Sequence, residues 1–270
     1  MLLCIESVSA QNFIKNPSFE DHRSLDCLTC HILPERFAGI MQGWRNLTGS
    51  NLHICDCNYK RNSTEINYNY CPSDQVKPYD GCTMIEMEYM PSCYDFNHNT
   101  RGCASYLSSK LSEPLEIGKT YEVSFWINIQ KPEDPEYTKH IGFMLYPEYP
   151  VNRNGEMLGG SAFLIDDSSY NSWNKVKWVV QPVCKLQYLA IGVFRSPDGP
   201  PVHGKPHRNV YYIDQVSVEK IPDTRKEQEV AIPFCNYDHQ ARPHVREVDG
   251  VTCYFNFKDS SFLQEYQGAL

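Results

Sequence analysis

Short runs of apolar and aromatic residues recur through the middle of the chain, separated by clusters of Gly, Pro, Asn and Asp. The clearest run is Tyr121–Ile129, in which every odd-numbered residue is apolar and residues 122, 124 and 128 are polar. An alternation with a period of two, carried by β-branched and aromatic residues, predicts a half-buried β-strand. Comparable runs predict further strands at residues 140–146, 173–180, 187–194 and 209–218.

Long helical periodicity is absent across this region, and parallel strands need helical crossovers. The pattern therefore predicts an all-β fold, an antiparallel β-sandwich formed by residues 11–220. Within it, residues 27–103 contain many Asn, Tyr and Ser residues but few aliphatic runs, which indicates a cysteine-rich loop insertion.

The two ends of the chain have a different character. Residues 1–10 are apolar and close on Val8-Ser9-Ala10, which predicts a signal peptide, short and without a basic start, cleaved before Gln11. Residues 221–248 have the polar composition of a linker. Within residues 249–270 we expect a short C-terminal strand at 251–257, followed by the start of a helix.

The chain has 12 cysteines, more than a reduced cytosolic protein carries, which supports export. Eight of them lie in the predicted insertion and are candidates for disulfides, each stabilising the fold by about 2–4 kcal/mol: Cys27, Cys30, Cys55, Cys57, Cys71, Cys82, Cys93 and Cys103. The first four form two closely spaced pairs, so a zinc site is an alternative.

Charge excludes one class of function. Asp and Glu number 33 against 25 Lys and Arg, and the net charge of -8 lacks the basic excess that phosphate neutralisation requires, so no nucleic-acid partner is expected. Catalytic motifs such as a nucleophile elbow or a phosphate-binding Gly loop are also missing from the sequence, and we expect no enzyme.

An ordered set of short motifs resembles the galactose-binding-like, carbohydrate-binding-module-like jelly rolls of exported Bacteroidetes proteins. It begins with Asn16-Pro17-Ser18-Phe19-Glu20 and Gly43-Trp44 and ends with residues 211–216, YYIDQV. The resemblance implies a jelly-roll sandwich that binds glycan or an envelope protein.

Residues 251–270 resemble the first strand and helix start of an OmpA-like domain, here truncated. Together the two resemblances imply an exported protein of the outer membrane or periplasm, in which peptidoglycan is bound only through the missing C-terminal part. A structural spacer without a glycan ligand is the main alternative, and a carbohydrate-active enzyme is a weaker one.

In such jelly rolls a structural calcium joins the first and last strands, and the resemblance assigns its ligands to Glu20 and Asp214. Their oxygen donors suit calcium. Gln215 stands where the family frequently has a second Asp, for which Asp21 is a substitute.

Glycan sites use exposed aromatic rings, which stack on the apolar face of a pyranose. The candidates for ligand binding are Trp44, Trp126, Trp173 and Trp178. Trp126 and Phe125 must point to opposite faces of one strand, so one of them lies outside the core. Tyr68, Tyr70 and Tyr79 in the insertion are further aromatics without an assigned role.

Overall fold

A computed structural model describes most of the predicted sandwich. The described residues are 11–23, 34–47, 52–56, 76–94, 100–131, 140–150, 163–165, 169–194, 209–222, 230–231, 244–248 and 251–255. The predicted leader (1–10) and helix start (259–270) lie outside them.

The described residues form one short helix and 14 strands. In chain order they are α1 (Pro34–Ile40), β1 (Trp44–Asn46), β2 (Leu52–Asp56), β3 (Thr83–Tyr94), β4 (Thr100–Ala104), β5 (Tyr106–Leu115), β6 (Tyr121–Ile129), β7 (Ile141–Tyr146), β8 (Phe163–Leu164), β9 (Trp173–Val180), β10 (Leu186–Val193), β11 (Asn209–Lys220), β12 (Val230–Ala231), β13 (His244–Val248) and β14 (Val251–Phe255).

Two sheets build the sandwich. The small sheet has the order β1-β5-β10-β7-β8, and the large sheet has the order β12-β9-β6-β11-β3-β2, with β4 also paired to β3. Neighbours are antiparallel throughout, except that β12 pairs parallel to β9. The predicted antiparallel β-sandwich and its strands at 121–129, 140–146, 173–180, 187–194 and 209–218 are confirmed.

The core lies between the two sheets and is rich in aromatic side chains. Trp178 of β9 contacts Phe125 of β6 and also Phe143 of β7, with ring centroids 5.6 and 4.9 Å apart. This contact joins the two sheets, with Trp178 partly buried and the two phenylalanines fully buried. Full burial of a Phe side chain stabilises the fold by about 1.5–3 kcal/mol. In the small sheet, Gly192 lies under the ring of Tyr106, where a Cβ would come within 2.3 Å of a ring carbon.

The N-terminal motif is a turn that connects the sheets. Phe13 donates its N–H to Val218 of β11 and accepts from Ser112 of β5, both at 2.8 Å. Asn16 has a left-handed backbone (φ 54°), and its side-chain amide donates to the carbonyls of Asp21 and Gln42. This local polar network explains why Asn begins the motif, because Asn tolerates left-handed backbone and bonds locally.

The C-terminal part pairs in two places. β12 lies beside β9, and β13 pairs with β14, so both β12 and β13 fall within the range predicted as linker. The predicted C-terminal strand is confirmed as β14. No helix in the described ranges is long and apolar enough to cross a membrane.

The cysteines are described only in part. Cys82 and Cys184 are each disulfide-bonded. Cys82 is one of the eight predicted candidates, and Cys184 is not. Cys55, a predicted disulfide candidate, forms no disulfide; its thiol is buried on β2, where Met84 is its cross-strand neighbour. The side chains of the other candidates (Cys27, Cys30, Cys57, Cys71, Cys93 and Cys103) lie outside the described residues.

Candidate functional site

The outer face of the large sheet carries an unusual set of side chains. On β6 the odd-numbered residues are in the core, and residues 122, 124, 126 and 128 face outward. The register places Trp126 between Asp214 of β11 and Lys175 of β9, and Asn128 between Tyr212 and Trp173. The alternation that separated Phe125 from Trp126 in the sequence therefore holds, with Trp126 on the outside.

A segment of chain crosses this face directly before β3, and we call residues 76–82 the cover segment. Val76 packs on Cys55, Met84 and Tyr212, which form a second apolar cluster outside the main core. The backbone carbonyl of Lys77 accepts a hydrogen bond from Trp173 Nε1 at 2.8 Å. Apolar packing and a polar contact thus hold the cover segment on the sheet.

Three aromatic rings meet where the cover segment passes β6 and β9, and we call Tyr79, Trp126 and Trp173 the aromatic platform. The ring of Tyr79 stacks on Trp126 with centroids 3.6 Å apart and an interplanar angle of 16°. Trp173 meets Tyr79 nearly edge-on, with centroids 6.2 Å apart. Tyr79 remains 43% exposed although both tryptophans support it. A flat apolar ring is therefore held rigidly at the surface.

Two carboxylates fix the turn of the cover segment. Asp214, which is fully buried, accepts N–H groups from Tyr79 (2.9 Å) and Asp80 (3.1 Å) through Oδ2, and from Gln215 (2.7 Å) through Oδ1. Glu20 Oε1 accepts the N–H groups of Cys82, the last residue of the cover segment, and of Thr83, the first residue of β3, both at 2.8 Å. The two sequence motifs that contain Glu20 and Asp214 thus converge on one segment.

Burial raises the pKa of Asp214 to about 7, although the three backbone N–H groups act in the opposite direction. The nearby Asp80 carboxylate adds to the rise by repulsion. Gln215 has a left-handed backbone (φ 49°) at the bulge of β11, and its side chain donates to Asp80 at 2.6 Å.

The calcium predicted between Glu20 and Asp214 stays a prediction. Three of the four carboxylate oxygens accept backbone N–H groups, and Glu20 Oε2 has only a 3.5 Å contact with Thr83 Oγ1. An oxygen that points its lone pairs at N–H donors is poorly placed for a cation. Calcium would require at least one of these carboxylates to turn away from its donors.

Polar groups surround the aromatic platform. Asp80 is exposed and Gln215 is partly exposed on one side of Tyr79, and Lys175 and Lys177 project from β9 on the other. Within the described residues neither lysine has an ion-pair partner. Hydrogen-bond donors and acceptors therefore lie on both sides of an exposed ring.

The four tryptophans predicted as ligand contacts separate into two pairs. Trp126 and Trp173 lie on the platform, whereas Trp44 is buried in the core and Trp178 packs against the core with its side chain partly buried. Trp44 is 1% exposed, packs on Phe19 and donates its indole N–H to the carbonyl of Asn16 at 2.8 Å, so it presents no ring face. The sequence assigns no role to Tyr79, because the cover segment has no strand pattern that would place its ring.

Comparison with known proteins gives only weak likenesses. No protein-family model matches the chain, and no curated protein does. Among solved structures, the enzymatically active domain of tailspike protein 4 of bacteriophage CBA120 is similar over 78% of this chain and 21% of its own, with TM-score 0.36 and 10% identity. This chain thus spans about a fifth of that tailspike domain.

Two smaller domains are similar over most of their own length. They are the CBM22-1 xylan-binding domain of Xyn10C from Paenibacillus barcinonensis (TM-score 0.34, 12% identity, 68% of this chain and 88% of that one) and the K1 cleaved adhesin domain of Lys-gingipain from Porphyromonas gingivalis W83 (TM-score 0.34, 10% identity, 67% and 92%). Likenesses of this size do not establish a function, which has to come from the site itself.

Proposed function

We propose that this protein is a non-catalytic binding module that holds glycan on the outer face of the large sheet, with Tyr79 as the contact ring. The observation that carries the proposal is the aromatic platform. Tyr79 and Ile117 are the large apolar side chains that are markedly exposed in the described ranges, and Tyr79 alone is stacked on a second aromatic ring.

The platform has the chemistry that sugar recognition needs. The apolar face of a pyranose stacks on a flat ring, and polar side chains beside the ring bond the hydroxyl groups. Tyr79 supplies the ring, and Asp80, Gln215 and Lys175 supply acceptors and donors around it. The ring of Tyr79 is already held in place by stacking on Trp126 and by the hydrogen bond from the Tyr79 backbone N–H to Asp214. Little ordering is therefore needed when a ligand binds.

Binding to immobilised neutral and acidic polysaccharides tests the proposal. We expect Tyr79→Ala and Trp126→Ala to weaken binding of any glycan that the unaltered protein retains by about tenfold or more, which corresponds to about 1.4 kcal/mol. The first substitution removes the contact ring, and the second removes its support.

Ile117→Ala is the matched control, because Ile117 is a large apolar side chain, 59% exposed, outside the platform. It should leave the affinity unchanged. Unchanged affinity in Tyr79→Ala, or no retention of any polysaccharide by the folded protein, would contradict a glycan site on this face. Co-purification of an envelope protein in that case would favour the spacer role.

We also propose that the module belongs to an exported protein of the cell envelope, attached to an OmpA-like domain. This part rests on the sequence resemblance of residues 251–270 and on the leader predicted at residues 1–10. Fractionation of cells that express the native gene tests it, with the protein expected in the outer-membrane or periplasmic fraction. Recovery in the cytoplasm alone would count against export, whatever the outcome of the glycan experiment.

A further inference from the structure

A second polar cluster lies on the same outer face, at the edge where β2 pairs with β3. His53 is the direct cross-strand partner of Glu86, and Glu88 is two residues further along β3, on the same side of the strand. His53, Glu86 and Glu88 are 2%, 0% and 5% exposed. Each can offer one ligand atom, and these atoms all lie within 4.8 Å of one another.

From this arrangement we propose that His53, Glu86 and Glu88 bind a divalent metal ion. Ligand atoms bound to one ion at about 2.0–2.2 Å are at most about 4.4 Å apart, so the observed spacing needs only small side-chain adjustments. His53 Nε2 already lies 3.2 Å from Glu88 Oε1. One imidazole and two carboxylates form a donor set that suits Zn²⁺, Mn²⁺ or Fe²⁺.

Charge and position favour the same ion class. In the metal-bound form, two ionised carboxylates and a neutral imidazole would carry a charge of -2, which one divalent ion neutralises. Buried charges in proteins are paired with other charges or coordinate metals. All three ligands come from neighbouring strands with a continuous register, so the sheet itself holds their spacing and little reorganisation is required.

The surroundings are apolar on the side that faces the platform. Tyr212 pairs with Glu86 from β11 and is 1% exposed, and Cys55 and Met84 form the next cross-strand pair. Tyr212, Cys55 and Met84 also pack against Val76 of the cover segment. A metal at this edge would fasten β2 to β3 and so stabilise the surface on which the cover segment rests. The inference is independent of the glycan proposal.

Mn²⁺ is the probe of choice, because the chain has 12 cysteines and thiolates bind Zn²⁺ strongly but Mn²⁺ weakly. The full-length protein is stripped with EDTA and titrated with Mn²⁺, and the bound ion is followed by electron paramagnetic resonance. We expect one bound ion per chain with a ¹⁴N coupling from the imidazole of His53. His53→Gln and Glu86→Gln should each weaken binding about tenfold or more.

Two controls separate this site from others. Glu113→Gln alters an exposed carboxylate of β5, and Glu20→Gln alters the site predicted for calcium; both should bind Mn²⁺ as the unaltered protein does. The ¹⁴N coupling is measured on the unaltered protein, so the test does not depend on a variant that folds. Absence of Mn²⁺ binding, binding without ¹⁴N coupling, or loss of binding in Glu20→Gln but not in His53→Gln would overturn the proposal.

Discussion

Gly81 shows how closely single positions of the cover segment are determined. Its backbone is left-handed (φ 63°), and a Cβ added there would come within 2.4 Å of Glu20 Oε1. The same carboxylate accepts the N–H groups of the next two residues, so it has little freedom to move away. The residue must therefore be glycine for two separate reasons.

We expect Gly81→Ala to lower the free energy of unfolding by about 3 kcal/mol or more, the sum of the left-handed backbone cost and the overlap with Glu20. Urea unfolding followed by circular dichroism measures it. Gly118→Ala is the matched control, because Gly118 is also left-handed (φ 72°) but has no atom within 4 Å of an added Cβ. It should cost only about 1–2 kcal/mol.

The Glu20→Ala background tests the assigned cause. Without the carboxylate, the difference between Gly81→Ala and Gly118→Ala should shrink, because only the backbone cost remains. Equal losses for the two glycine variants in the otherwise unaltered protein would disprove the contact with Glu20.

Single residues also mark where sequence reasoning succeeds and fails. Strand alternation predicted that Phe125 and Trp126 face opposite sides, and they do. It did not reveal which tryptophans are exposed, because exposure depends on what covers each face. Trp44 lies against Phe19, a contact between segments that no local pattern specifies.

At the scale of elements, the position of the cover segment depends on a titratable side chain of β11. Asp214 of β11 holds the N–H groups of Tyr79 and Asp80, and its pKa of about 7 lies above the value of about 3.9 in an unfolded chain. The folded protein therefore binds this proton more tightly than the unfolded chain. The resulting stabilisation is complete below about pH 4 and is lost as the pH rises through about 7.

We therefore expect this group to lower the free energy of unfolding between pH 5 and pH 8, and Asp214→Asn to reduce that fall. At pH 5 the Asn variant should be less stable than the unaltered protein, because its NH₂ group replaces an oxygen that accepts backbone N–H groups. Urea unfolding at both pH values, with EDTA present to exclude metal effects, gives the comparison. Glu113→Gln should keep the unaltered slope, and an unaltered slope in Asp214→Asn would refute the assignment.

The proposed metal site could not be predicted from the sequence, because it depends on how two strands pair. The alternation of Glu86 and Glu88 is visible in the printed chain, but it resembles an ordinary solvent-facing strand edge. The cluster exists only because β2 pairs with β3 in the register that sets His53 opposite Glu86. Both residues lie in the range predicted as a cysteine-rich loop insertion, where the structure instead forms β2 and β3, and the sequence there carries no clear pairing signal.

At the scale of the whole molecule, the fold was the most predictable part. The five apolar and aromatic runs became β6, β7, β9, β10 and β11, and all five strands contribute side chains to one continuous core. β2 and β3 have less regular patterns, since their outer faces are buried as well. The aromatic platform forms where the cover segment crosses the outer face of the large sheet. No local pattern in the sequence predicts that crossing.

The hydrogen bonds of the N-terminal turn impose an order on folding. Asn12 bonds the carbonyl of Val216, 204 positions later in the chain, and Phe13 bonds Val218. Contacts of such long range require most of the chain to be present and slow the search for the native state. The N-terminal turn is therefore among the last segments to settle. Until β11 arrives, the edges of β3 and β6, which it joins within the large sheet, remain open to wrong partners.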